Sequence, residues 1–242
     1  MILPRLALIA SASLLALLLA ACSGASASRP DRARSNGSDD GFTPAQLAKG
    51  DIDRVTEVHL RDAYFSLRVI TEKLYRRNPR EWKKSGQPSL EAAMARLFDH
   101  VHDWSFAELE GRRSVDALRL AFREDYAGDR VLALAAGLGG MLDAAFGGKR
   151  EFFLLDDLDP QKLYNSARNV EIAAWKLNSA RDAAGAPLLL GNEAGANLSF
   201  EREFGRLIGN LDILAVVVSE KSSRNVVRLV QSVATGVFLP LK

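Results

Sequence analysis

Apolar positions recur along most of the chain with the spacing of a helix face. Leu60, Ala63, Leu67, Ile70 and Leu74 follow steps of three and four residues, which stack on one side of an α-helix. Glu57, Arg61, Arg68 and Glu72 fall on the opposite side, where Glu57 with Arg61 and Arg68 with Glu72 have i,i+4 ion-pair spacing. Thr43-Pro44 supplies a start signal, a capping hydroxyl followed by proline where its missing N–H costs nothing. Asn78-Pro79 supplies a stop. Ser89 is expected to open a second helix through Val101, and Ser114 a third toward Tyr126.

Residues 131–142, VLALAAGLGGML, break the two-faced pattern because they are apolar all round, which predicts a central helix buried on every side. An interfacial or re-entrant membrane piece is the competing reading. Twelve apolar residues ended by Asp143 fall short of the ~20 needed to span a bilayer, which favours a soluble core helix. Gly137, Gly139 and Gly140 each cost up to ~1 kcal/mol of helix propensity. In return, Ala133/Gly137 and Ala136/Gly140 are small residues four apart, a face onto which another backbone can pack closely.

Asp159-Pro160 starts a further helix, with Leu163, Ala167, Val170, Ala174 and Leu177 in register. Gly185, Pro187, Gly191 and Gly195 mark a loop over 183–198. Ser199, with Glu201 and Glu203 in the first turn, begins a helix carrying Phe204, Leu207, Ile208, Leu211, Ala215 and Val218. Gly205 and Gly209 give it a small face too. In the valine-rich end, Val226, Val230, Val233 and Val237 fit a helix stripe, while their β-branched character equally allows a strand. The pattern as a whole predicts an all-α, single-domain helical bundle of six to eight helices over residues 43–242.

The first 42 residues have a different texture. Arg5 precedes an apolar stretch from Leu6 to Leu19 and then small residues, the layout of an export signal over residues 1–21. Residues 23–42 are Ser, Gly, Ala and charge with almost nothing apolar, so 22–42 read as Cys22 followed by a flexible tether with an end-to-end distance of ~25 Å. Cys22 is the only cysteine, so no internal disulfide can form. Two processing sites compete, Ala25-Ser26-Ala27 for an ordinary secretory peptidase and the four residues ending at Cys22.

Leu19-Ala20-Ala21-Cys22 resembles the lipobox of bacterial lipoproteins and directly follows the apolar core. The resemblance implies cleavage before Cys22, diacylglycerol on its sulfur and an acyl chain on the new amino group. One fatty chain holds a protein only marginally, whereas two or three, at ~0.8 kcal/mol per buried CH2, make a stable anchor. Ser23 stands where lipoproteins of this kind retained in the inner membrane often carry Asp, so the resemblance implies the periplasmic face of the outer membrane.

Charge and motifs narrow the function. The formal net charge is +2, one unit of it from Arg5, which argues against dedicated nucleic-acid binding. Asp99, His100, His102 and Asp103 would pair at i,i+3 on a helix as metal ligands, but two further donors are wanting and a polar helix end explains them. Asp156, Asp157 and Asp159 lack EF-hand spacing, and Asp159 is accounted for as a cap. No H-E-x-x-H, G-x-S-x-G, P-loop or dinucleotide pattern is present, so neither a metal nor a cofactor is expected. A Ser/His/Asp triad stays open, since its members meet only in the fold.

The least ordinary stretch is LYNSARNVEIAAWKL, residues 163–177. Beside its apolar stripe runs a second of Tyr164, Arg168, Glu171 and Trp175. This stripe either lines a groove for a ligand or partner helix, or seats Arg168 inside the bundle on a carboxylate such as Asp212 or Glu171. Arg130 must be satisfied in the same way. GDRVLALAAGLGGML, LYNSARNVEIAAWKL and NLSFEREFGRLIGNLDILA resemble an uncharacterised proteobacterial lipoprotein family over about half the chain, which implies fold and address but no activity. The functional expectation is a lipid-anchored structural or interaction module that binds an envelope protein or lipid. The alternatives are a lipid- or small-ligand-binding protein with its cavity against the glycine-rich helix, and a hydrolase-type enzyme with a pocket near Arg168 and Trp175.

Overall fold

The apolar stripe from Leu60 to Leu74 forms the inner face of α1, Asp51–Arg77, and all five of its residues are buried. The structure, a computed structural model, describes residues 49–191, 199–223, 226 and 235–241. The chain divides into two units at Phe42 and Thr43, and the described residues belong to the second. The leader, Cys22, the tether, the Thr43-Pro44 signal and most of the valine-rich segment lie outside them.

Among the described residues there are seven α-helices, one short 3-10 turn and no strand, as the all-α prediction requires. After α1 come α2 (Pro79–Lys84), α3 (Leu90–Phe98), α4 (Ser114–Ala121), α5 (Arg130–Ala145), α6 (Pro160–Ser179) and α7 (Ser199–Ser222). At the start of α1 the Asp53 carboxylate accepts the Gly50 N–H at 2.8 Å. Asn78 stops α1, and Pro79 at once starts α2, a helix the apolar pattern does not announce. Ser89 caps α3 by accepting the Ala92 N–H at 3.2 Å, but α3 ends at Phe98, short of Val101.

Two further expectations need correction. Helix α4 stops at Ala121 and not near Tyr126, because the Arg130 guanidinium takes the carbonyls of Ala121, Arg123 and Glu124 at 2.6 to 3.1 Å. Those carbonyls are thereby satisfied without another helical turn. The buried Arg130 side chain is matched by these carbonyl oxygens, with the Tyr126 ring 5.8 Å away. The charge pairs on α1 also regroup. Glu57 accepts from Lys49 at 2.7 Å and from the Phe152 N–H at 3.0 Å, Arg68 reaches Asp99 at 2.8 Å, and Glu72 pairs with Arg76 at 2.7 Å. Glu57 and Arg68 thus take partners delivered by the fold, while Glu72 takes the i,i+4 neighbour on its other side.

Helix α5 is the central element, in contact with α1, α2, α4 and α6, and residues 131–139 are all buried. Its glycines do what small residues are expected to do. A Cβ on Gly137 would lie 2.7 Å from the Leu118 backbone nitrogen, and one on Gly140 3.1 Å from that of Ser114, so the α4 backbone rests directly on α5. Gly139 receives the Trp104 indole, which a Cβ would meet at 2.3 Å. The second small face does not behave this way. Nothing lies within 4 Å of a Cβ built on Gly205 or Gly209, because α7 already packs between α1 and α6 with its other sides and turns these glycines outward.

Buried polar groups sew the helices together. Asp129 caps α5 by accepting the Leu132 N–H at 2.9 Å, while its other oxygen accepts the Tyr75 hydroxyl of α1 at 3.0 Å and the Ser85 hydroxyl at 2.9 Å. Burial pushes the Asp129 carboxyl above the usual carboxylate range against these bonds. Glu81 of α2 accepts the Arg130 N–H at 2.7 Å and pairs with Lys84 at 2.7 Å. Asn169 on α6 takes both backbone groups of Leu239, accepting its N–H at 2.6 Å and donating to its carbonyl at 2.9 Å. Asn78 holds Leu190 in the same two-handed way, at 2.8 and 3.0 Å. No described helix is long and apolar enough to cross a membrane.

Gly139→Ala is expected to cost about 1–3 kcal/mol by overpacking against Trp104, which outweighs the ~1 kcal/mol of recovered helix propensity. Gly209→Ala, with open space around it, should instead gain up to about 1 kcal/mol; urea midpoints of the two variants should move in opposite directions. Because Asp129 holds its proton more tightly when folded, its contribution is full below the ordinary value near 3.8 and is lost as pH rises through the folded value. The stability gap between the wild type and Asp129→Asn should therefore narrow as pH climbs from about 3.8 toward neutrality. A gap that stays constant in urea titrations would contradict this.

Candidate functional site

Helices α6 and α7 run antiparallel, with Asn178 near Phe200 at one end and Arg168 opposite Asp212 further along. Leu163, Ala167, Val170 and Leu177 bury the inner stripe of α6, which turns Tyr164, Arg168 and Glu171 toward the α7 side. The Arg168 guanidinium pairs with Asp212 at 2.5 Å and with Glu171 at 3.0 Å, and lies 5.3 Å from the Tyr164 ring centre. Both expected carboxylates are thus used. The side chains of Arg168 and Asp212 keep 20% and 38% of their surface exposed, so the pair sits at the edge of the core and not within it.

A cleft of about 320 Å³ opens beside this pair, walled by Tyr164, Arg168, Asp212, Ala215, Val216 and Val226. One wall is charged and the other aliphatic. The Arg168 Nε is buried without a hydrogen-bond partner, so the guanidinium retains donor capacity. The structure brings Tyr164 and Arg168 to the cleft, while Glu171 is paired with Arg168 without lining it. Trp175 stands elsewhere: its ring covers Gly236, whose Cβ would meet it at 2.6 Å, with the Lys176 ammonium 5.7 Å from the ring centre. Trp175 therefore seats the C-terminal segment, and residue spacing along α6 gave no sign of that.

The other sequence candidates disperse into structural roles. Asp99 caps α3 and pairs with Arg68, while His102 bonds the Leu97 carbonyl through Nε2 at 2.8 Å and the Trp104 N–H through Nδ1 at 3.0 Å. His100 is exposed. The helix ends before these residues, so they never share a helical face. Asp156 pairs with Lys149, whose hydrogen bond holds its carboxyl below the usual range, and Asp159 accepts the Gln161 N–H at 2.9 Å as the cap of α6. Among the described residues no group of three or more His, Cys, Asp or Glu is placed to hold a metal ion.

His59 belongs to the seam between α1 and α7. Its Nδ1 meets the Asn210 amide oxygen at 3.0 Å, and Asn210 donates to Asp62 at 2.9 Å, where Arg206 also binds. Burial works against ionisation of Asp62, but the hydrogen bonds from Arg206 and Asn210 hold its carboxyl below the usual range. None of the three histidines is hydrogen-bonded to a serine among the described residues, so no nucleophile and base pair of the triad type is assembled there.

Sequence reasoning missed a second cleft, of about 250 Å³, beyond the end of α3. Tyr64 of α1, Phe98, His102, Trp104 and Arg150 contribute to its walls. The signal lay in HVHDW, where two histidines and a tryptophan crowd a helix end, but residues 46 positions apart in the chain complete it: Trp104 and Arg150. Comparison with protein-family models, with curated proteins and with solved structures finds no match to this chain.

Replacing Arg168 or Asp212 by alanine is expected to cost about 1–2 kcal/mol each, between the values for exposed and fully buried pairs. A double-mutant cycle in urea should return a coupling of about 1 kcal/mol, and a coupling of zero would show that each side chain acts through other contacts.

Proposed function

We propose that the protein is a lipoprotein moored through Cys22 at the periplasmic face of the outer membrane, and that its helical body is a tethered module binding an envelope partner. The observation that carries the address is the position of Leu19-Ala20-Ala21-Cys22 directly after the apolar run that follows Arg5. The resemblance to proteobacterial lipoproteins supports the same address. Residues 23–42 supply a polar spacer, long enough for the body to reach partners near the membrane without lying on it.

For the binding role, the Tyr164/Arg168/Asp212 cleft offers a charged wall and an aliphatic wall side by side. That combination suits a protein segment with alternating polar and apolar side chains. A hydrolase reading would require a nucleophile with a base in hydrogen-bond reach, and the described walls here provide Tyr164, Arg168 and Asp212. The reading as a small-ligand carrier is favoured by a separate observation, the aromatic cleft around Trp104.

Cys22→Ala is expected to abolish incorporation of labelled palmitate and to release the protein from the outer-membrane fraction. Unchanged labelling of that variant overturns the anchor. With the anchor intact, a photoreactive residue at position 216 should yield a discrete protein adduct in the native envelope, lost in Arg168→Glu. Adducts with lipid alone would overturn the protein-binding role in favour of the carrier.

A further inference from the structure

Helix α7 packs between α1 and α6 and leaves its third side uncovered. Along that side Arg202, Arg206, Gly209, Ile213, Val216 and Glu220 recur at steps of four and three, the a and d spacing of a helix that pairs with another helix. Ile213 and Val216 are 59% and 57% exposed, and open space surrounds Gly209. Isolated apolar residues on a surface need no explanation, but exposed aliphatic residues in one seam register do. The seam with α1 widens the face. There Asn210 meets His59 and Arg206 meets Asp62, so the half-exposed Val58 stands level with the middle of the stripe.

The stripe is complementary to itself when reversed. Laid antiparallel on a second copy about a two-fold axis level with Leu211, position 202 faces 220, 206 faces 216 and 209 faces 213. In each layer an a position meets a d position, as antiparallel helix pairs require. Size matches in the middle layer, where Ile213 enters the space over Gly209. In the next layer Val216 meets the stem of Arg206, whose guanidinium is held by Asp62 and lies 5.7 Å from the Phe65 ring centre. Its charge is therefore already answered within its own chain.

Charge matches in the outer layer. Arg202 is 3.6 Å from its neighbour Glu203, beyond hydrogen-bond reach, and its side chain is 73% exposed, so it is free to turn to a carboxylate across the seam. Glu220 is exposed at the other end of the stripe. A two-fold axis brings each Arg202 to the other protomer's Glu220, so one such pair forms at both ends. A lipid surface laid on the same stripe would instead bury Arg202 and Glu220 without partners.

We propose that the protein self-associates through this face, with α7 of a second copy antiparallel on α7, Ile213 seated on Gly209 and Arg202 against Glu220. The contact requires neither Cys22 nor Arg168, so it stands apart from the anchor and the envelope partner. Val216 borders both surfaces: a crosslink from position 216 to a second copy reports this stripe, and one to a different protein reports the Arg168 cleft.

Sedimentation equilibrium of the full-length protein in density-matched detergent is the test. A species of two chains that dissociates on dilution is expected. Ile213→Glu should weaken it by about tenfold or more, since it places a charge against an apolar layer. Arg202→Glu and Glu220→Arg should each weaken it about three- to tenfold, because each sets like charges opposite one another at both ends. The double reversal restores the opposite pairing and should return the dissociation constant to within about twofold of the wild type. All four variants lie on the exposed side and should keep the wild-type helical circular dichroism. A chain that stays monomeric at every concentration overturns the proposal, as does a dimer that Ile213→Glu leaves unchanged. A double reversal no tighter than either single reversal overturns the antiparallel register.

Discussion

The structure depends on one close approach, that of the α4 backbone and the Trp104 indole to the side-chain-free strip of α5. A helix buried on every side cannot rely on a polar face to orient it, so shape must do so. Gly137 admits backbone and Gly139 a ring at separations that no Cβ would tolerate, and Gly140 admits backbone at one that would crowd a Cβ. The propensity lost at three glycines, up to ~1 kcal/mol each, is offset by the apolar surface that α4 and Trp104 bury there, at roughly 25 cal/mol per Å². The same contact fixes Trp104, and through it the aromatic cleft.

Around that contact the polar groups act as joints. Asp129 joins α1, the end of α2 and the start of α5; Arg130 closes α4; Asn169 and Asn78 each grip a passing backbone with both ends of an amide. Asp129, Arg130 and Asn169 are buried and Asn78 half-buried, and each is specific in a way an aliphatic contact is not, because removal of one partner strands the other. The seam of His59, Asp62, Arg206 and Asn210 plays this part between α1 and α7, where the long helices would otherwise be free to slide.

Much of the helical plan was legible in the chain because amphipathic spacing and caps are local signals. The stripes of α1, α6 and α7, the capping by Ser89 and Asp159, and the all-buried α5 all follow from it. What was not legible required a distant residue. The end of α4 depends on Arg130, the regrouped ion pairs depend on Lys49, Asp99 and Phe152, and α2 is a single proline-initiated turn and a half with no stripe of its own. At the Arg168 stripe, the need to satisfy a charge pointed to a carboxylate such as Asp212 or Glu171 as one of two readings, but nothing pointed to the withdrawal of Trp175 to cover Gly236. The aromatic cleft was hidden altogether, since Tyr64, Trp104 and Arg150 come from three separate parts of the chain.

The grip of Asn169 on Leu239 also constrains the order of events in folding. Phe238 and Leu239 are buried, with Phe238 beside Phe122 and Pro240 held by Asn165. The core thus lacks part of its filling until Phe238 and Leu239 have been synthesised. A polypeptide threaded amino-terminus first through a pore would arrive on the far side with α6 waiting for its partner, and would complete its interior only once Leu239 had emerged.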